Sequence, residues 1–332
     1  MATIDGQTPL LPRWLKPFAL INGVLLVLGY SLHLSLLMAL HVAWLPWYGA
    51  VETLLTFKNL LLLLGIDWAT RHRPSIIISN STISRSSNSN SSNVTRNYET
   101  NVPSIAPCPW RVLVASVTKF SVQEAMAYRL ALYWGLVDVD MSATAATKAI
   151  TTCTTTATTY LLDTLQWWLL FVVMSFVYEV VFDFGHYWAH RWLHEHPALY
   201  RAFHAAHHRH ANPTVYHTFD DTVGGNVLTN CLPHLAALGV LVMSRGGRPL
   251  PHLSHALLLV YKTFVEVSGH SGKHVGNASS FPQCKALPSR LGIALYTQDH
   301  HTHHRNSKTN FSKRFTLWDR LFGTFHSAVD FR

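Results

Sequence analysis

Histidines recur along this chain at spacings that suit a metal. His190 and His194 stand four apart, His204, His207 and His208 three and four apart, and His270 and His274 again four apart. His300, His303 and His304 close the series. Of the 22 histidines, 18 fall between His186 and His304, so a scatter of surface residues is a poor account of them. A helix turns about 100° per residue, and at these spacings each group presents its imidazoles on one side of its helix. Neutral imidazole is the commonest metal ligand of proteins. One zinc site takes three or four protein ligands, so these ten histidines are too many for one ion and suit two. An all-nitrogen set fits iron, zinc, copper or nickel, and ligand softness does not choose among them. His186, His196, His210, His217 and His301 lie nearby and read as supports or solvent-facing rings. His217, followed by Phe219-Asp220-Asp221, is the best of these for a pocket. A zinc peptidase is poorly supported, because His194-Glu195 opens like HExxH but position 198 is alanine.

Apolar segments must position these residues. The chain is 48% hydrophobic and only 13% charged, which is low in charge for a soluble domain. From Phe18 to Trp47 it is nearly uncharged and long enough to cross a bilayer. Arg13 and Lys16 precede this segment, as suits a cytoplasmic start. A second apolar run over 51–69 completes a membrane hairpin within residues 1–73. His33 and His41 lie inside the first run and read as packed or interfacial. Residues 74–109 are rich in Ser and Asn and read as a flexible loop. Their sequons at Asn80, Asn90 and Asn93 carry little weight in such a tract.

Residues 110–159 read as an amphipathic helix, interfacial or packed, followed by a Thr/Ala-rich connector. Residues 160–182 form the strongest later span, and they deliver Asp183 and the first histidines at their end. Runs at 226–243 and 255–267, parted by Arg245-Gly-Gly-Arg248-Pro, predict a hairpin that enters the membrane and returns. Two crossings there keep both histidine groups on one side. The net charge of +9 comes without a Lys/Arg run or a nucleic-acid motif, so it points to a cytoplasmic membrane face and not to nucleic acid. Cys108, Cys153, Cys231 and Cys284 form no CxxC pair, so neither a zinc ribbon nor a disulfide framework is indicated.

The stretches HRWLH at 190–194, HAAHH at 204–208 and HHTHH at 300–304, with the closing WDRLFGTF, resemble the fatty acid hydroxylase/sterol desaturase superfamily. These are membrane-bound, histidine-box di-iron oxygenases. The resemblance covers roughly residues 175–326. Asp183-x-x-His186-Tyr187 and Glu266-x-x-x-His270-Ser-Gly resemble the sterol C-4 methyl oxidase branch, and Lys308-Thr-Asn-Phe311 is similar to the sphingoid-base hydroxylases. The position of His274 is usually acidic in the sterol branch, whereas fatty-acid 2-hydroxylases carry HxxxH there.

With the apolar segments, the resemblance implies an all-α integral membrane protein of the endoplasmic reticulum. Its catalytic domain, residues 160–326, would form a cytosolic-face helical cap around a histidine-rich dimetal site. The ten histidines would hold two iron ions, with zinc able to substitute in preparations. Asp183, Glu266 or Asp319 would accept hydrogen bonds that orient ligand imidazoles, unless they are ordinary helix-end or surface carboxylates. The implied reaction uses dioxygen to hydroxylate or desaturate an unactivated C–H of a sterol, sphingoid base or fatty acyl chain. No haem module, flavin fingerprint or GxGxxG is readable, so electrons are expected from cytochrome b5 and its reductase. The competing readings are a non-catalytic histidine-rich metal-binding or transport protein and an aldehyde-processing or ether-lipid relative with the same boxes. A transporter would want its ligands inside the spans, and here they follow them.

Overall fold

The computed structural model describes residues 15–41, 47–76, 110–139, 157–275 and 280–327. The Ser/Asn tract from 77 to 109 with its three sequons, the connector 140–156, Cys108 and Cys153 lie outside the described residues, as does the side chain of His41. Within them the fold is helical: α1 (Leu15–His41), α2 (Trp47–Thr70), α3 (Trp110–Tyr133), α4 (Ala157–Glu195), α5 (Val223–Ser244), α6 (His252–Gly269) and α7 (Thr297–Arg305).

Among the described residues, four segments are long and apolar enough to cross a membrane: Pro17–Leu40, Gly49–Thr70, Leu161–Glu195 and Val223–Ser244. The 39 residues of α4 extend about 58 Å at roughly 1.5 Å per residue, against about 30 Å of bilayer hydrocarbon. The helix therefore runs well beyond the hydrocarbon, and its last turns carry His190 and His194. Leu161, Leu165 and Leu169 are exposed on its earlier part, as a lipid-facing surface requires.

Neither α3 nor α6 is among these four segments. Both carry charges that the fold buries. Lys58 of α2 donates to both carboxylate oxygens of Glu124 on α3 at 2.7 and 2.8 Å, and Asn59 donates to Ser121 at 2.9 Å. Removing one partner of a buried ion pair costs about 3–5 kcal/mol, so this contact holds α3 against α2. The amphipathic segment at 110–137 is thus a packed helix.

Helix α1 packs on α6, α2 on α3 and α4 on α5. One core runs through them, including Leu25, Leu36, Leu55, Tyr128, Phe171, Phe182, Leu238 and Leu258. The turn from α5 to α6 passes through Gly246 and Gly247 at φ 68° and 80°, a left-handed backbone that glycine adopts without steric cost. Just after it, Leu250–Pro251 (β2) pairs in parallel with Val137–Asp138 (β1), tying the end of α3 to that turn. A helix pair stands where the hairpin was expected, but only its first arm, α5, is long and apolar enough to cross a membrane; α6 is buried in the bundle and ends at the residues that lead into His270.

Candidate metal centre

Nine of the ten histidines converge, in two groups. The candidate donor atoms of His190, His194, His204, His208 and His303 lie within 4.8 Å of one another, and so do those of His207, His270, His300 and His304. The groups adjoin: the rings of His204 and His207 are 5.2 Å apart, and those of His208 and His304 are 4.7 Å apart. His274 stands outside both groups and accepts a hydrogen bond at Nδ1 from Gln298 Nε2 at 2.7 Å.

The histidine boxes do not map one to one onto the groups. Pairs four apart stay together: His190 with His194, His204 with His208 and His300 with His304. The residues at the third position cross over, His207 to the second group and His303 to the first. For the middle box this departs from the expected single helix face. Its backbone is a π turn over Tyr200–His204 and a 3-10 turn over His207–Arg209, which set the His207 and His208 rings at 82°. Short π segments are frequent at functional sites.

Three of the rings are locked by a hydrogen bond from Nδ1 to a backbone carbonyl: His190 to Phe311 at 2.8 Å, His270 to Glu266 at 2.8 Å and His303 to Thr309 at 2.7 Å. A neutral ring with its hydrogen at Nδ1 turns a lone pair out at Nε2. These lone pairs meet ring nitrogens of neighbouring histidines. The Nε2 atoms of His270 and His300 are 2.9 Å apart, those of His208 and His303 3.1 Å, and those of His190 and His194 3.2 Å. Both nitrogens of His204 and the Nδ1 atoms of His207, His208, His300 and His304 are buried without a partner. Unmet buried polar atoms cost about 1–3 kcal/mol each. A cation in each group would take up the lone pairs, so the donor set fits a pair of transition-metal ions.

Burial also keeps the rings in the ligating state. It pushes His208 and His270 down to about 4. Burial and the neighbouring histidines hold His204, His207, His300, His303 and His304 well below the ordinary range.

Among the described residues, none of Asp183, Glu266 and Asp319 takes a ligand imidazole N–H on its carboxylate. They act one step further out. Asp183 accepts from the backbone N–H of Lys313 at 2.7 Å, Arg314 at 2.9 Å and Phe315 at 3.0 Å. Asp319 accepts from the N–H of Phe311 at 2.8 Å and Ser312 at 2.9 Å, and from the Thr324 hydroxyl at 2.7 Å. Together they clamp residues 311–315, the segment whose Phe311 carbonyl orients His190. The Glu266 carboxylate pairs with Lys313, and Arg314 Nε forms an ion pair with Glu179 at 2.9 Å with its guanidinium over Phe182. Burial alone would raise Glu266, but Lys313 and Arg314 overcome it and hold the carboxyl at about 2. Lys313 and Arg314 had no signal in the sequence, being two cations in a polar, basic tail.

Beside the groups lies a cavity lined by His186, His190, His204, His207 and His300. His186 belongs to neither group and donates from Nδ1 to the Thr229 carbonyl at 2.8 Å, as a support would. His217 does not line the cavity; its ring stacks on His210 at 3.7 Å, while the following Phe219 and Asp221 do line it. Gln123, Asn226 and Asn230 line it too. Nothing in the sequence marked these three.

Residues 175–324 match the family model described as fatty acid hydroxylase. A fatty acid hydroxylase of Lecanicillium sp is 33% identical over 180 residues, covering 51% of this chain and 46% of that protein. A cholesterol 25-hydroxylase-like protein of Danio rerio is 29% identical over 130 residues, 39% of this chain and 46% of that one. The Delta(7)-sterol 5(6)-desaturase of Saccharomyces cerevisiae is 30% identical over 136 residues, 40% of this chain and 31% of that one. The chain thus spans less than half the length of these curated relatives. No solved structure matches it.

Proposed function

We propose, from the membership of residues 175–324 in the fatty acid hydroxylase/sterol desaturase superfamily, that this membrane protein is a dioxygen-dependent lipid hydroxylase or desaturase. The observation that carries the proposal is the convergence of nine histidines, seven buried and two half-buried, in two adjoining groups, with more lone pairs than donors. His190, His194, His204, His208 and His303 would hold one ion and His207, His270, His300 and His304 the other. Bound there, a pair of iron ions supplies the dioxygen and C–H chemistry that imidazoles lack. The chain's own residues do the rest. Phe311, Thr309 and Glu266 carbonyls fix three rings, and Asp183 and Asp319 fix the segment that bears one of those carbonyls.

The substrate class is a sterol, a sphingoid base or a fatty acyl chain, reaching the cavity from the bilayer beside α4 and α5. The electrons come from a separate donor, for which cytochrome b5 and its reductase are the proposed pair. Exposed Lys308 and Arg320, near the histidine segments, would suit an acidic partner. We place the protein in the endoplasmic reticulum with the histidines on the cytosolic face.

The test is turnover of a membrane lipid extract under labelled dioxygen, by iron-loaded and zinc-loaded protein with an electron donor. With iron, a hydroxylated lipid should carry one labelled oxygen, or a desaturated lipid should form with the label leaving as water, and neither product should form with zinc, because zinc has no redox chemistry. Equal turnover by the zinc form without dioxygen would overturn the proposal.

A further inference from the structure

The cavity beside the metal groups is only partly built by the matched segment. Asn226 and Asn230 come from α5, whereas Gln123 comes from α3, outside residues 175–324. The three amides form a ladder. Asn230 Nδ2 donates to Asn226 Oδ1 at 2.7 Å, and Asn226 Nδ2 donates to Gln123 Oε1. All three side chains are buried. Asn230 sits in the π turn Val227–Cys231, a local widening that is frequent at functional sites.

The ladder leaves both of its ends unmet. Gln123 Nε2, a donor, and Asn230 Oδ1, an acceptor, are buried without a partner. Each such atom costs about 1–3 kcal/mol, and native interiors hold few of them. Turning all three amides over exchanges the two ends but still leaves one donor and one acceptor. The requirement is therefore independent of how the amides are assigned. An alkyl chain meets neither end, and an ester carbonyl meets only the donor. A hydroxyl both donates and accepts, so it can meet either end. His190, His204, His207 and His300 line the same cavity, so a hydroxyl held there would share that cavity with the histidines.

We infer that Gln123 and Asn230 recognise a hydroxyl of the lipid near the C–H that is oxidised, which makes α3 a determinant of substrate choice. This rests on the lipid-oxygenase reading above. Sterols and sphingoid bases both carry such a hydroxyl, and a bare hydrocarbon chain does not.

The experiment uses the full chain in membranes, iron-loaded, with an electron donor and labelled dioxygen. The probes are two matched pairs, cholestanol with cholestane and sphinganine with octadecylamine, alongside a total membrane lipid extract. One hydroxylated probe should be oxidised at least about tenfold faster than its partner at limiting concentration, and which one it is separates the sterol from the sphingoid source. In Gln123→Leu and Asn230→Leu the preference should shrink towards parity, mainly through KM, with iron content unchanged. Equal oxidation of both members of a pair by the unaltered protein would overturn the inference, even if both variants fail to fold. So would variants that fold and keep the full preference. Label entering the lipid extract while neither hydroxylated probe reacts overturns the inference alone. No oxidised product, neither labelled nor desaturated, from probes or extract overturns the oxygenase reading as well.

Discussion

Among the described residues, two regions gather buried histidines, and they treat them differently. In the metal groups, ring nitrogens face one another and many lack a partner. Inside the helix bundle, rings pair off with each other and with tyrosines. His33 Nδ1 and His252 Nδ1 are 2.7 Å apart, the Tyr128 hydroxyl bonds His252 Nε2 at 2.7 Å, and the Tyr178 hydroxyl bonds His234 Nδ1 at 2.6 Å. His255 stacks on Tyr128 and approaches His234 Nε2 at 3.2 Å. The lesson is that burial of a histidine does not announce a metal. A tyrosine hydroxyl supplies one donor and one acceptor and can complete a ring's hydrogen bonding. Five converging rings supply only lone pairs and shared protons, and they call for a cation.

The largest expected effect breaks the metal side of this contrast. In His204→Ala or His303→Ala, bound metal should fall and turnover should drop by more than roughly 100-fold, while the protein still inserts into membranes. Full activity with normal metal content in His303→Ala would remove the grouping. Next comes the clamp. Asp183→Asn replaces an acceptor oxygen by an NH2 that faces backbone N–H groups, so metal affinity should fall by ~10- to 100-fold, as measured by chelator competition.

The tyrosine-paired side should answer in stability and not in metal. His252→Ala should cost about 1–3 kcal/mol, seen as a lowered Tm, and His33→Ala should likewise leave metal content unchanged. Loss of metal in either variant would erase the distinction.

A pH titration sharpens the contrast further. Folding lowers His208 and His270 from 6.5 to about 4, so the unfolded chain binds more protons between those values. Their contribution to stability is complete above about pH 6.5 and is lost as the pH falls towards 4. The metal-stripped protein should therefore lose Tm over that window. The smallest effect is expected from deleting residues 79–97, whose composition supports no packed core; activity should persist. Its complete loss with normal expression would make that tract part of the site.

Sequence alone determined the helical membrane class, the helix pair before His270 and the residues that gather at the metal groups. Those features rest on local physics: apolar run length, spacing on a helix and the ligand chemistry of imidazole. Only the tertiary structure decided how the boxes divide, because His207 and His303 cross between groups through the packing of separate elements. It also set His274 apart, although its spacing from His270 equals that of His190 from His194. The roles of Asp183 and Asp319 depend on residues 311–315, which lie about 130 positions from Asp183, and no local pattern carries that distance. The same holds for Gln123, an unremarked residue of an amphipathic helix. Its partner at Asn226 is 103 positions away, and only the packing of α3 on α5 brings the two together.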